Sequence, residues 1–152
     1  MSAFNVVRTS RTTAFVYLFS LLGLASTPVR AALGDPASTP SGATVRTLSG
    51  TMAQVISYTD ANNTTIDEYV ATSTGKAFAY RWNGPVQPDL DSILGRYAAT
   101  WRDTASRAGE MRNARVTAAG VVVETGGHMR GYAGRAWLPS ALPAGMSEGD
   151  LQ

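Results

Sequence analysis

The sequence predicts an α+β domain: an antiparallel sheet of about five or six strands, in the order β-β-β-α-β-β, with one amphipathic helix packed on one face. Three observations predict it. Apolar residues alternate at period two over most of the chain beyond Val45. The spacing switches once, between Leu90 and Ala105, to three and four residues. Short clusters of Gly, Asn, Asp, Ser and Thr separate the runs.

Met52 to Tyr58 alternates Met52, Gln54, Ile56 and Tyr58 against Ala53, Val55 and Ser57. Asp60 to Thr64 is a polar turn, and Ile66 to Thr72 is the next strand. The two Asn-x-Thr matches at Asn62 and Asn63 are read as part of that turn rather than as glycan acceptors. Ser73 to Lys76 turns the chain into Ala77 to Asn83, where Phe78, Tyr80 and Trp82 are expected on one face, the core face. Gly84-Pro85 and Pro88 close this meander. Asp89 is placed to cap a helix and Asp91 to favour its positive end. Leu90, Ile93, Leu94, Tyr97, Ala98, Trp101 and Ala105 form the apolar stripe, Arg102 and Arg107 occupy the closing turns, and Gly109 is the stop. The stripe is expected to pack on the Phe78, Tyr80 and Trp82 face. Asn113 to Thr117 is a weaker strand, Val121 to Thr125 a buried one, and Gly126-Gly127 a hairpin turn into His128 to Leu138. Pro139 and Pro143 lead into a short tail, and there are no internal repeats.

The first 31 residues have the three-part layout of a secretory signal peptide. Arg8 and Arg11 precede an apolar stretch, Ala14 to Ala25, and Val29-Arg30-Ala31 offers small residues to a signal peptidase. The apolar stretch falls short of the ~20 residues a membrane-spanning helix needs. Cleavage is therefore expected between Ala31 and Ala32, leaving no transmembrane anchor. Residues 32–43 are rich in Pro, Ser, Thr, Gly and Ala and are expected to be a flexible lead, with Ser38, Thr39 and Ser41 as candidate O-glycosylation sites. Residues 44–152 then form the single domain.

Of 13 basic residues, Arg8, Arg11 and Arg30 leave with the leader, so ten face 11 acids. No basic cluster marks a nucleic-acid or anionic-lipid partner. There is no cysteine, so an oxidising compartment adds no disulfide and excludes a lipid-modified leader cysteine. Twelve arginines against the single Lys76 suggest a GC-rich bacterial source. The expected location is the periplasm, with secretion as the alternative.

Two segments carry a family resemblance. Glu68-Tyr69-Val70, Gly75, Phe78-Ala79, Trp82-Asn83-Gly84-Pro85, Pro88-Asp89-Leu90 and Leu94-Gly95-Arg96-Tyr97 form the first. Glu124 to Arg130 (ETGGHMR), Tyr132, Gly134-Arg135-Ala136 and Pro139 form the second. Together they resemble the bacterial domain-of-unknown-function 2844 family. The resemblance implies a small exported protein and brings no activity and no catalytic residue.

His128 is the only histidine, which removes two-histidine metal sites, and the carboxylates lack calcium-loop or zinc spacing. No metal and no cofactor is called for. Glu124 and His128 are an acid and a base close in sequence. A two-residue Gly126-Gly127 turn, however, sends them to opposite sheet faces and sets Arg130 and Tyr132 beside Val121, Val123 and Thr125. Asp67 and Glu68 are strand neighbours and point apart, which is unsuited to paired-carboxylate hydrolysis. No serine lies in a Gly-x-Ser-x-Gly elbow and no phosphate loop precedes the helix. His128, Arg130, Tyr132, Arg135 and Trp137 therefore form the candidate contact surface, with arginines and aromatics at strand spacing beside open glycine backbone. The expected role is a non-enzymatic accessory protein contacting another exported or envelope protein. The alternatives are a small-ligand or glycan-binding module on the same aromatics and, below it, a hydrolase using Glu124 and His128.

Overall fold

A computed structural model describes residues 31–50, 52–108, 114–129 and 131–151. Seven strands form one antiparallel sheet: β1 (Thr44–Thr47), β2 (Ala53–Thr59), β3 (Thr65–Ala71), β4 (Lys76–Gly84), β5 (Ala114–Ala118), β6 (Val121–His128) and β7 (Gly131–Trp137). Their order in space is β1-β2-β3-β4-β7-β6-β5. The chain builds one half of the sheet as a meander and crosses its face by a helical segment. It then returns from the far edge until β7 pairs with β4.

The α+β class stands, and the strand count is seven rather than five or six. The additional strand is β1, which pairs with β2 from Thr44↔Ser57 to Thr47↔Gln54. All four of its residues are exposed, so an edge strand of this kind has no apolar alternation to betray it. The β2–β3 turn falls where expected. The Asp60 carboxylate accepts from the backbone N–H groups of Asn62 and Thr64, at 2.8 and 2.9 Å, and Asn63 takes a positive φ of 62°.

Phe78, Tyr80 and Trp82 do not share a face. The register between β3 and β4 shifts between Tyr69 and Val70, with Tyr69 opposite Ala79 and Val70 opposite Ala77. Phe78 is the extra residue of a β-bulge, which breaks the period of two. Tyr80 and Trp82 pack under the helices with Leu90, Ile93, Leu94, Ala98 and Trp101, and Tyr97 packs against that cluster half-buried. Phe78 joins Val55, Tyr69, Val122 and Trp137 on the other face, its ring tilted 58° to Tyr69.

The helical segment is also interrupted. α1 (Leu90–Leu94) and α2 (Ala98–Ala108) are joined by a single 3-10 turn at Gly95–Tyr97. Asp89 caps α1 by accepting from the Asp91 N–H at 3.0 Å. Gly95 ends α1 with φ +51°, and a Cβ there would lie 2.6 Å from that of Ala32. Glycine thus opens the helix where the start of the domain passes beneath it. The proposed stop at Gly109 lies outside the described residues. Among the described residues no helix is long and apolar enough to cross a membrane.

The β6–β7 turn is displaced from Gly126-Gly127. The strands pair without interruption from Val122↔Trp137 to His128↔Gly131, so the turn falls between His128 and Gly131. The glycines are needed within the strands instead. A Cβ on Gly127 would lie 2.9 Å from the Tyr132 ring, and one on Gly134 would lie 2.4 Å from Trp82.

Residues 32–43, expected as a lead outside the domain, in fact begin inside it. Leu33 is wholly buried under the helices. The Leu33 N–H donates to the Ile93 carbonyl (2.8 Å), that of Gly34 to Ala77 (2.7 Å) and that of Ala37 to Gly75 (2.9 Å). Pro36 bridges to Lys76 in strand fashion. At the other end of the chain Leu151 is buried on the opposite face of the sheet. Of the leader expected over residues 1–31, residues 1–30 lie outside the described residues.

Candidate functional site

Antiparallel pairing places directly opposite residues on the same face. The register therefore builds a polar row across the sheet, on the face away from the helices: Ser57↔Asp67, Asp67↔Arg81, Arg81↔Arg135, Arg135↔Glu124 and Glu124↔Arg115. The row is closed by its own pairs. The Ser57 hydroxyl donates to Asp67 (2.6 Å), and the Arg81 guanidinium lies 3.3 Å from the other oxygen of that carboxylate. Arg135 Nε donates to Glu124 Oε2 at 2.6 Å and Arg115 to Glu124 Oε1 at 2.8 Å. Arg115 also reaches Glu148 at 2.8 Å, and this hydrogen bond holds the Glu148 carboxyl below its ordinary range. Arg135 completes the tie by donating to the Glu148 backbone carbonyl at 2.7 Å.

A groove of about 510 Å³ runs along this row, bounded by Arg81, Glu124 and Arg135 and floored by Gly126, Ala133 and Gly134. It offers charged hydrogen-bonding groups, exposed backbone and the Thr125 side chain. Both Glu124 oxygens accept from arginines, which leaves that carboxylate ill suited to moving protons.

The five residues singled out from sequence divide sharply. Trp137 is buried, with the Arg115 and Arg135 guanidinium carbons over its ring at 5.1 and 5.0 Å. This is a structural cation–π arrangement rather than an open platform. Arg135 is engaged as described. Tyr132 is 39% exposed and, opposite Gly127, does fall on the Val121, Val123 and Thr125 side. Arg130 and the side chain of His128 lie outside the described residues. The opposite-face argument for Glu124 and His128 fails, because both lie on β6 four residues apart. That spacing sets their backbone positions about 13 Å apart along the strand. Sequence reasoning missed Asp67, Arg81, Arg115 and Glu148, which only strand pairing brings together.

Asp67 and Glu68 do point apart, and Glu68 enters the helix-side core. It is 1% exposed, and its Oε1 has no hydrogen-bond partner. Burial pushes its carboxyl up to about 7, against the weaker opposing effects of the Tyr80 hydroxyl and the Ser38 N–H. The Tyr80 hydroxyl donates to the Ala31 carbonyl at 2.6 Å, and the Ala31 N–H donates to Ser38 Oγ at 3.1 Å. Of the candidate glycosylation sites, Ser38 is thus engaged and half-buried, while Thr39 and Ser41 are exposed.

A family model described as a protein of unknown function, DUF2844, matches residues 29–151. The chain belongs to the DUF2844 family. Neither a curated protein nor a solved structure matches it. The DUF2844 match begins before Ala31, so it includes the segment that lies against Glu68 and Tyr80.

Proposed function

We propose that this DUF2844 protein is an exported, non-enzymatic accessory protein of the bacterial periplasm that docks on another exported or envelope protein through the end of the β6–β7 hairpin. One observation carries the reading. β4 ends at Gly84, opposite Tyr132, so the hairpin runs on past its neighbour and presents Met129, 98% exposed, beside Tyr132. Apolar side chains held out on a hydrogen-bonded hairpin suit a protein contact, since little ordering remains to be done on binding. Arg115 and Arg135 are engaged in holding the sheet and its C-terminal tail, while the hairpin end is exposed at Met129 and Tyr132. Export is supported by the charge and apolar pattern of residues 1–31.

The test is a photo-reactive residue at position 129, with exposed Thr100 on α2 as control, irradiated in the native host. A single cross-linked exported partner from position 129, lost with Tyr132→Asp and absent from position 100, is the expected result. Monomer alone from both positions refutes the docking reading. The groove along the polar row favours a second reading, a module for small polar ligands or glycans. Calorimetric titration with cell-wall fragments should show binding, weakened by Arg81→Ala, if this reading holds.

A further inference from the structure

A carboxylate buried among apolar side chains is costly unless a cation or several donors meet it. The groups that meet Glu68 are the Tyr80 hydroxyl from β4 and the Ser38 backbone from the segment before β1, and Tyr58 and Asp35 lie within electrostatic reach of Tyr80. None of them is a cation, and Oε1 is left without a partner. The cation is one peptide unit away. The Tyr80 hydroxyl holds the Ala31 carbonyl at 2.6 Å, and the Ala32 nitrogen lies about 2.2 Å from that oxygen by covalent geometry.

We propose that Glu68 is the docking site for the chain's own processed amino terminus, the α-ammonium of Ala32. This rests on the export reading above and deepens it. Hydrolysis adds water across the Ala31–Ala32 bond: the carboxylate departs on Ala31 with the leader, and the nitrogen left on Ala32 becomes an ammonium with three N–H donors. The departure of Ala31 frees Ser38 Oγ, which had accepted from its N–H, and the Tyr80 hydroxyl, which had donated to its carbonyl and whose oxygen keeps lone pairs that can accept. With Glu68 Oε1 these make three acceptors for three donors. The rest of the segment stays in place, because the anchors at Leu33, Gly34 and Ala37 all lie after the cut. Gly95, whose lack of a side chain admits Ala32, fits the same purpose. Removal of the leader thereby completes the core.

The experiment exports the full chain from a bacterial host and reads the intact mass of the released protein. It then follows reductive methylation of the α-amine and of Lys76 near neutral pH. Amines react through their unprotonated fraction, so an ion pair that raises the α-amine pKa by one unit slows it about tenfold. The expected result is a chain starting at Ala32 whose α-amine reacts at least about tenfold more slowly than in Glu68→Gln, with Lys76 unchanged. A different starting residue overturns the cleavage reading and the docking with it. A start at Ala32 with equal rates in the two proteins overturns the docking alone. Should Glu68→Gln not fold, a chain extended back to Val29 serves as comparison, and equal α-amine rates there overturn the proposal.

Discussion

Replacing Glu68 by glutamine in a chain extended back to Val29, where no ammonium forms at Ala32, isolates the cost of burying this carboxyl. Its carboxyl titrates at about 7 in the folded protein against an ordinary 4.5, with desolvation the first cause. A raised acid binds its proton more tightly in the folded state, so its contribution is fully present below pH 4.5. It is lost as pH rises towards 7. At about 1.4 kcal/mol per pH unit, that gap is worth about 3 kcal/mol. Glutamine keeps the shape of the neutral acid and does not ionise. Urea unfolding should therefore find the two extended chains equal near pH 4 and Glu68→Gln about 3 kcal/mol more stable near pH 8. In the processed chain starting at Ala32 the advantage should shrink or reverse. A stability difference in the extended chains that stays flat from pH 4 to pH 8 would refute the account of Glu68 as a desolvated acid.

Gly134→Ala places a methyl 2.4 Å from Trp82 and 2.5 Å from the Glu124 carbonyl oxygen. Neither group can retreat easily, so a loss of about 1–3 kcal/mol should appear as a lower melting temperature. Gly95→Ala meets both a positive φ and the Ala32 Cβ, and a loss of at least about 1 kcal/mol is expected by chemical denaturation. Trp101→Ala should cost about 3–5 kcal/mol. Trp101→Phe should cost far less, because the indole N–H it removes is buried without a partner; equal losses for the two would contradict the packing described. Ala119 sits at φ 49° in the β5–β6 turn, so Ala119→Gly should raise stability by about 1 kcal/mol, read as a higher urea midpoint.

Those parts of the fold that bury one face were legible in the sequence. β2, β3, β4 and β6 announce themselves by alternation or by apolar runs, and the helical stripe by its spacing. The break at Gly95 was not legible, because the stripe continues through it and the cause, Ala32, lies far away in sequence. The Phe78 bulge hides for a related reason: Ala77 to Trp82 alternates cleanly on paper, and only pairing with β3 shows the extra residue. Gly126-Gly127 misled because a glycine pair signals a turn as readily as a close approach to Tyr132. The polar row was illegible in principle, since Asp67, Arg81, Glu124 and Arg115 meet only through strand order. Leu33 and Leu151 stand alone in polar tracts, and nothing local marks either as core.

Those two leucines bear on when the molecule can finish folding. Leu33 fills the helix side and Leu151 the opposite side, so each layer is sealed by a residue outside the sheet, one before β1 and one after β7. During synthesis Leu33 is available long before Leu151. The two faces of the sheet are thus sealed at different times, the helix side once α2 is made and the opposite side only when residue 151 arrives.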